Sequence, residues 1–200
     1  MATGLEGEPT DFPNATSRLF LVDLRTNKVQ QVALPLPPSG PGKIVLANSM
    51  ALSADEKTFY LGCSVARQVW QWDVDMTVSD PTEMMRNGRV FVTLEAPLLN
   101  DGMCLDSEGR AYLAVYNGGA IHVYSPQGDL EEVIHVPTQC PTCPLFVGSQ
   151  LDHLMITSQA VSESTKQQID HPECFTEDRG LLYKIHLPGR RGLVKHKVAL

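Results

Sequence analysis

The sequence predicts an all-β chain built by repetition around an axis, on three observations. Short apolar runs of strand length fill the chain, each closed by turn residues, and no segment sustains a 3.6-residue period with caps. Two passages also resemble one another: ANSMALSADEKTFYLGCS from Ala47 and NDGMCLDSEGRAYLAVYNGG from Asn100. Each runs from polar residues into an apolar strand, through an acidic or glycine-bearing turn, and into a second strand. Finally, the matching polar positions, Asn48 and Asp101, stand 53 residues apart. That spacing is close to one blade of a β-propeller, where a polar residue in the same slot of successive blades faces the central axis.

Strands are predicted in order along the chain. Those at 18–24 and 28–34 flank a Thr26-Asn27 turn, and 43–52 comes after a Pro/Gly-rich loop. Strands at 58–64 and 68–74 form the next hairpin, with Trp70 and Trp72 on one face and Val69 and Gln71 on the other. Further strands are expected at 88–94, 102–106, 111–116, 120–125, 130–136, 143–148, 153–158, 180–186 and 193–198. Asn117-Gly118-Gly119 and Pro126-Gln127-Gly128-Asp129 supply the positive-φ positions that tight hairpins need. About fourteen strands at roughly four per blade make three and a half to four blades. Residues 1–16 read as loop or disorder, 17–200 as the propeller domain, and 161–179 as a polar loop insertion on one rim.

Composition narrows the function. Two hundred residues with 42% hydrophobic and 20% charged content suffice for one domain with a real core. A net charge of −7 argues against nucleic acid and anionic membrane surfaces as partners, and agrees with a site for a cation. No apolar run approaches the roughly 20 residues of a membrane span. The acidic N-terminus lacks the apolar stretch of a signal peptide, and five cysteines spread along the chain fit a reducing compartment. The expectation is a cytoplasmic protein, with the Asn14-Ala15-Thr16 sequon unglycosylated.

Two constellations could carry chemistry. Asn48 offers an amide oxygen and Asp101 a carboxylate, hard ligands for Ca²⁺, Mg²⁺ or Mn²⁺ and acceptable to Zn²⁺. The carboxylate could also take a proton from a water attacking a carbonyl. The same residues are equally ordinary turn formers that bond their own backbone. Cys140-Pro141-Thr142-Cys143 and His171-Pro172-Glu173-Cys174 have the ligand types of a tetrahedral zinc site. The plainer alternative is a buried Cys143 at a strand start with exposed thiols elsewhere. Tyr116-Asn117-Gly118-Gly119 lacks the following helix of a phosphate cradle, and no nucleophile elbow is present.

Here the pattern resembles the gluconolactonase/regucalcin (senescence-marker-protein) family of six-bladed, metal-dependent lactonases. Asn48-Ser49-Met50-Ala51-Leu52-Ser53-Ala54-Asp55 is similar to the family's N-G-[hydrophobic]-x-[hydrophobic]-S-x-D blade. Asp101-Gly102-Met103-Cys104-Leu105-Asp106 with Glu108-Gly109 is similar to its D-G-[hydrophobic]-x-[hydrophobic]-D-x-E-G blade. The likeness runs from about residue 17 to the end and corresponds to roughly the C-terminal two-thirds of a family member, a partial six-bladed propeller. It implies hydrolysis of a sugar lactone, with Asn48 and Asp101 on a divalent metal and Asp101 as general acid/base. Ca²⁺ is the first choice of ion, with Zn²⁺, Mn²⁺ or Mg²⁺ as alternatives.

Two departures stand out. Ser49 occupies the family's glycine position after the amide ligand, and the blades expected before residue 18 are missing. The chain then reads as a fragment or truncated gene model. Alternatively, Gly7-Glu8-Pro9 resembles the family's first-blade G-E-x-P motif and makes Glu8 the third metal ligand. An open propeller is expected to be a poor catalyst and to self-associate through its strand edges. The rival reading is a non-catalytic module that binds calcium or a protein.

Overall fold

The computed structural model describes residues 17–36, 44–160 and 180–194. Its strands form four antiparallel sheets. The first pairs β1 (Leu19–Asp23) with β2 (Lys28–Val32). The second orders β3 (Ala47–Leu52), β4 (Thr58–Cys63), β5 (Gln68–Val74) and β6 (Met85–Thr93). The third orders β7 (Leu99–Leu105), β8 (Ala111–Tyr116), β9 (Ala120–Tyr124) and β10 (Leu130–His135). The last orders β11 (Pro141–Val147), β12 (His153–Ser158) and β13 (Leu182–His186). Each sheet is a meander of sequence neighbours, the pattern of propeller blades. β3 packs against β7 and β7 against β11, so the first strands of three blades line the interior.

Three cores fill the spaces between the four sheets, and strand alternation explains how. Trp70 and Trp72, fully buried on one face of β5, meet Phe59, Leu61, Val32, Leu19 and Leu21 between the first two sheets. Val69 points the other way and joins Tyr60, Phe91, Leu113 and Val115 between the second and third. Tyr112 and Ala114 alternate with Leu113 and Val115, and meet Phe146, Leu154 and Ile156 between the third and fourth. The two middle sheets therefore have a core on each face, which is why β4 and β8 read as nearly continuous apolar runs. The Trp72 indole N–H donates to the Pro35 carbonyl at 2.8 Å, satisfying the polar end of a buried ring.

The all-β, partial-propeller expectation holds, as do the turn residues: Asn27, Asn117, Gly119 and Gly128 all have positive φ. Several boundaries differ. β6 starts three residues before the expected strand because Met84 and Met85 bury beside the tryptophans. β7 begins at Leu99 and takes Asn100 and Asp101 into the strand, where the sequence suggested a turn. Of the strand expected at 193–198, Leu193 and Val194 lie outside any strand, next to an isolated bridge between Gly192 and Asp106. Residues 1–16, 161–179 and 195–198 lie outside the described residues.

Candidate functional site

The innermost strands of three blades carry a register shift at the same place. It falls between Ala47 and Met50 in β3, between Asn100 and Met103 in β7, and between Pro141 and Cys143 in β11. A β-bulge of this kind turns extra residues out of the ladder and re-aims their side chains. The bulged residues are Asn48-Ser49, Asp101-Gly102 and Thr142, so Asn48 and Asp101 occupy equivalent positions on adjacent blades. Their hairpin-turn appearance in the sequence reflects this local break in pairing.

The bulges bring the two predicted ligands together. The Asn48 Nδ2 donates to Ser64 Oγ at 3.2 Å, and the Ser64 hydroxyl donates to the Asn100 carbonyl at 2.6 Å. With its proton committed to Asn100, Ser64 accepts from Asn48 and fixes the amide orientation. Burial pushes the Asp101 carboxyl up to about 6, against the opposing pull of the Gly102 N–H and the Asn48 side chain. Burial also raises the Tyr116 phenol, reinforced by Cys140 and by the Asp101 charge, which places Tyr116 at the same end of the blades.

Asn100, Ser64 and Tyr116 belong to this end; the sequence offered Asn100 and Tyr116 only as turn residues and did not single out Ser64. Asn100 is only 1% exposed. In the amide orientation that satisfies both atoms, it donates to the Cys63 carbonyl at 3.1 Å and accepts from the Cys63 N–H at 3.3 Å, tying β7 to β4 of the preceding blade. Ser64 directly follows β4 and Tyr116 is the last residue of β8, equivalent positions that a blade-on-blade alignment would reveal. Ser49 fits at the bulge because Gly62, opposite it on β4, has no Cβ. A Cβ at Gly62 would lie 2.3 Å from Ser49 Oγ and 2.5 Å from the Asn100 amide.

Glu8 lies outside the described residues, as do His171 and Cys174 of the zinc alternative. The cysteine expectation reverses: Cys140 is buried and Cys143 exposed, because the β11 bulge turns Thr142 out and shifts the facing of Cys143. Among the described residues, neither thiol and neither Asn48 nor Asp101 joins a cluster of three His, Cys, Asp or Glu ligands. Two oxygen donors at one site, one amide and one carboxylate, are of the type that suits a hard divalent cation with further oxygen ligands.

A cleft of about 330 Å³ borders Asn48 and Ser49, with Ser17, Arg18 and Phe20 on its other side. A cavity of about 540 Å³ lies at the far end of the inner strands. Met50, Leu52, Met103, Leu105 and Leu145 line it, an apolar wall poorly matched to a polyhydroxylated ligand.

Comparison with known proteins fits this architecture. The model of the SMP-30/gluconolactonase/LRE-like region matches residues 38–160, more than half of the chain and all three bulges. The chain belongs to this family. It is 28% identical to regucalcin of Danio rerio over 153 residues, 76% of this chain and 49% of that protein. A luciferin-regenerating enzyme superposes with a TM-score of 0.72 at 28% identity, covering 93% of this chain and 56% of the enzyme. The calcium-binding protein regucalcin of Agrobacterium tumefaciens shares the fold, with a TM-score of 0.65 at 22% identity over 86% of this chain and 54% of its own. The chain thus spans about half the length of the relatives it matches.

Proposed function

We propose that this chain carries the acid/base half of a metal-dependent site that hydrolyses a sugar lactone. The observation behind this reading is the pairing of Asn48 and Asp101 on equivalent bulges of adjacent blades. Membership of a family whose description includes gluconolactonases supports the substrate class. A divalent cation at Asn48 Oδ1 and the Asp101 carboxylate would supply Lewis acidity to the lactone carbonyl. Asp101, ionised, takes a proton from the attacking water and returns it to the departing ring oxygen. Ser64 accepts from Asn48 and donates to the Asn100 carbonyl, which holds the Asn48 amide in place beside Asp101.

The test is hydrolysis of glucono-δ-lactone by the purified chain, with EDTA and with added Ca²⁺, Mn²⁺ or Zn²⁺. Weak, metal-dependent turnover is expected, falling by about 10²–10⁴-fold in Asp101→Ala. A folded sample without turnover under any metal would overturn the enzyme reading. Calcium or protein binding that survives Asp101→Ala would instead favour the non-catalytic module.

Metal-free stability gives an independent readout. The folded Asp101 keeps its proton up to about pH 6, whereas the unfolded carboxyl releases it near 3.8. Stability is therefore lost as pH rises through that window, by about 1–2 kcal/mol after solvent screening. Asp101→Asn abolishes turnover yet unfolds at higher urea than the wild type at pH 8, and at nearly the same urea at pH 4.

A further inference from the structure

At the end of the last blade opposite its bulge, β12 begins and β13 ends. His153 of β12 pairs in register with Val147 on one side and His186 on the other, whereas the β11 bulge faces Ser158 at the far end of β12. The two imidazoles stack with centroids 4.7 Å apart and planes 24° from parallel. Asp152, in the turn before β12, faces both: one carboxylate oxygen lies 2.7 Å from His153 Nδ1 and the other 3.5 Å from His186 Nε2. The three donor atoms fall within 4.8 Å of one another. Donors sharing one tetrahedral ion at Zn–N and Zn–O bond lengths lie about 3.3 Å apart, so the observed separations need only small side-chain movements.

The backbone holds this arrangement before any ion arrives. The Leu187 N–H donates to the Asp152 carbonyl at 2.9 Å, and the Gly192 N–H donates to the Leu151 carbonyl at 2.8 Å. Gly148 and Leu151, both at positive φ, fold the turn back so that Asp152 meets the strand pair. A Cβ at Gly148 would reach within 3.5 Å of His153 Nδ1, so the glycine leaves the approach open.

We propose that Asp152, His153 and His186 bind a transition-metal cation, Zn²⁺ being the ion that fits. Two imidazole nitrogens with one carboxylate are borderline donors, which select Zn²⁺ over Ca²⁺ and leave a fourth position to water. The ion clamps β13 to the β11–β12 turn, at the far end of the blade from the bulged residues.

The full chain, stripped with EDTA, is titrated with Zn²⁺ by calorimetry and with Co²⁺ by visible absorption. One tight equivalent of Zn²⁺, a raised thermal midpoint and the d–d bands of tetrahedral Co²⁺ are expected in the wild type and are retained in Asp101→Asn, whatever weaker binding the axial bulges add. His186→Ala and Asp152→Asn fold, since both positions are partly exposed, but bind Zn²⁺ at least about tenfold more weakly and lose the Co²⁺ bands. Equal affinity in wild type and His186→Ala overturns the assignment, as does the absence of binding in the wild type. A thiolate-to-cobalt charge-transfer band would place the ion at the cysteines, and loss of the site in Asp101→Asn would place it at the axial bulges. Either result also overturns it.

Discussion

The inner hairpins β3–β4 and β7–β8 share one backbone plan with their chemistry redistributed. At the bulge, Ser49 sits across from Gly62 in the first hairpin, and Gly102 across from Ala114 in the second. At the opposite turn, Ser53 takes the place of Asp106, and Glu56 that of Gly109. Ser53 Oγ donates to Asp55 and accepts from the Thr58 N–H. Asp106 is fully buried and accepts from the backbone N–H groups of Glu108 and Arg110, from Arg110 Nε, and weakly from the Tyr112 hydroxyl. Arg190 in turn donates to that hydroxyl, and Ser107 N–H to the Arg191 carbonyl, so the second turn anchors the segment around residue 190. Each hairpin keeps room for its turn and its bulge, but only the second uses the turn as an electrostatic anchor. Polarity can therefore move between equivalent sites while the backbone stays the same.

The largest contrast is electrostatic. Asp106→Ala leaves Arg110 without its buried partner and strands several donors, at a cost of about 3–5 kcal/mol. Asp55→Ala, at an exposed turn, changes the urea midpoint little. Chemical denaturation of the two variants checks the difference, and equal losses would show that the two turns bear the same load.

A steric contrast comes next. Gly62→Ala forces a Cβ into Ser49 and Asn100 and costs about 1–3 kcal/mol. Adding Ser49→Gly removes half of that collision and recovers part of the loss, a coupling that a double-mutant cycle measures. No such rescue is expected for Gly102→Ala, whose Cβ would lie 2.7 Å from the Thr142 carbonyl of the next blade. If Ser49→Gly leaves the Gly62→Ala loss untouched, the exchange of small residues across the ladder is coincidental.

Much of this was legible in the sequence. The alternation of Trp70 and Trp72 with Val69 announces a sheet with two buried faces, and the spacing of Asn48 and Asp101 announces the repeat. What escaped depends on contacts between blades. Asn100 looks like half of a turn dipeptide until Cys63 of the neighbouring blade is beside it. Cys140 and Cys143 exchange their expected exposures because a bulge between them breaks the period of two on which such readings rest. His153 and His186 are separated by a long polar stretch in the sequence, and only strand register makes them neighbours.

The smallest contrast isolates the backbone. Glu56 and Gly109 occupy the same turn position, with φ of 58° and 81°, and each N–H closes its turn on the residue three before. A Cβ at Gly109 would meet nothing closer than Pro126 Cγ at 3.4 Å, so Gly109→Ala tests the left-handed conformation without a clash. It should cost about 1 kcal/mol, and Glu56→Gly should gain at most about that much, offset by the extra freedom glycine brings to the unfolded chain. Paired shifts of opposite sign in the thermal midpoint would mean that the first hairpin carries backbone strain which the second has relieved. Shifts of the same sign would mean that side-chain contacts, rather than φ, set the stability of the Glu56 turn.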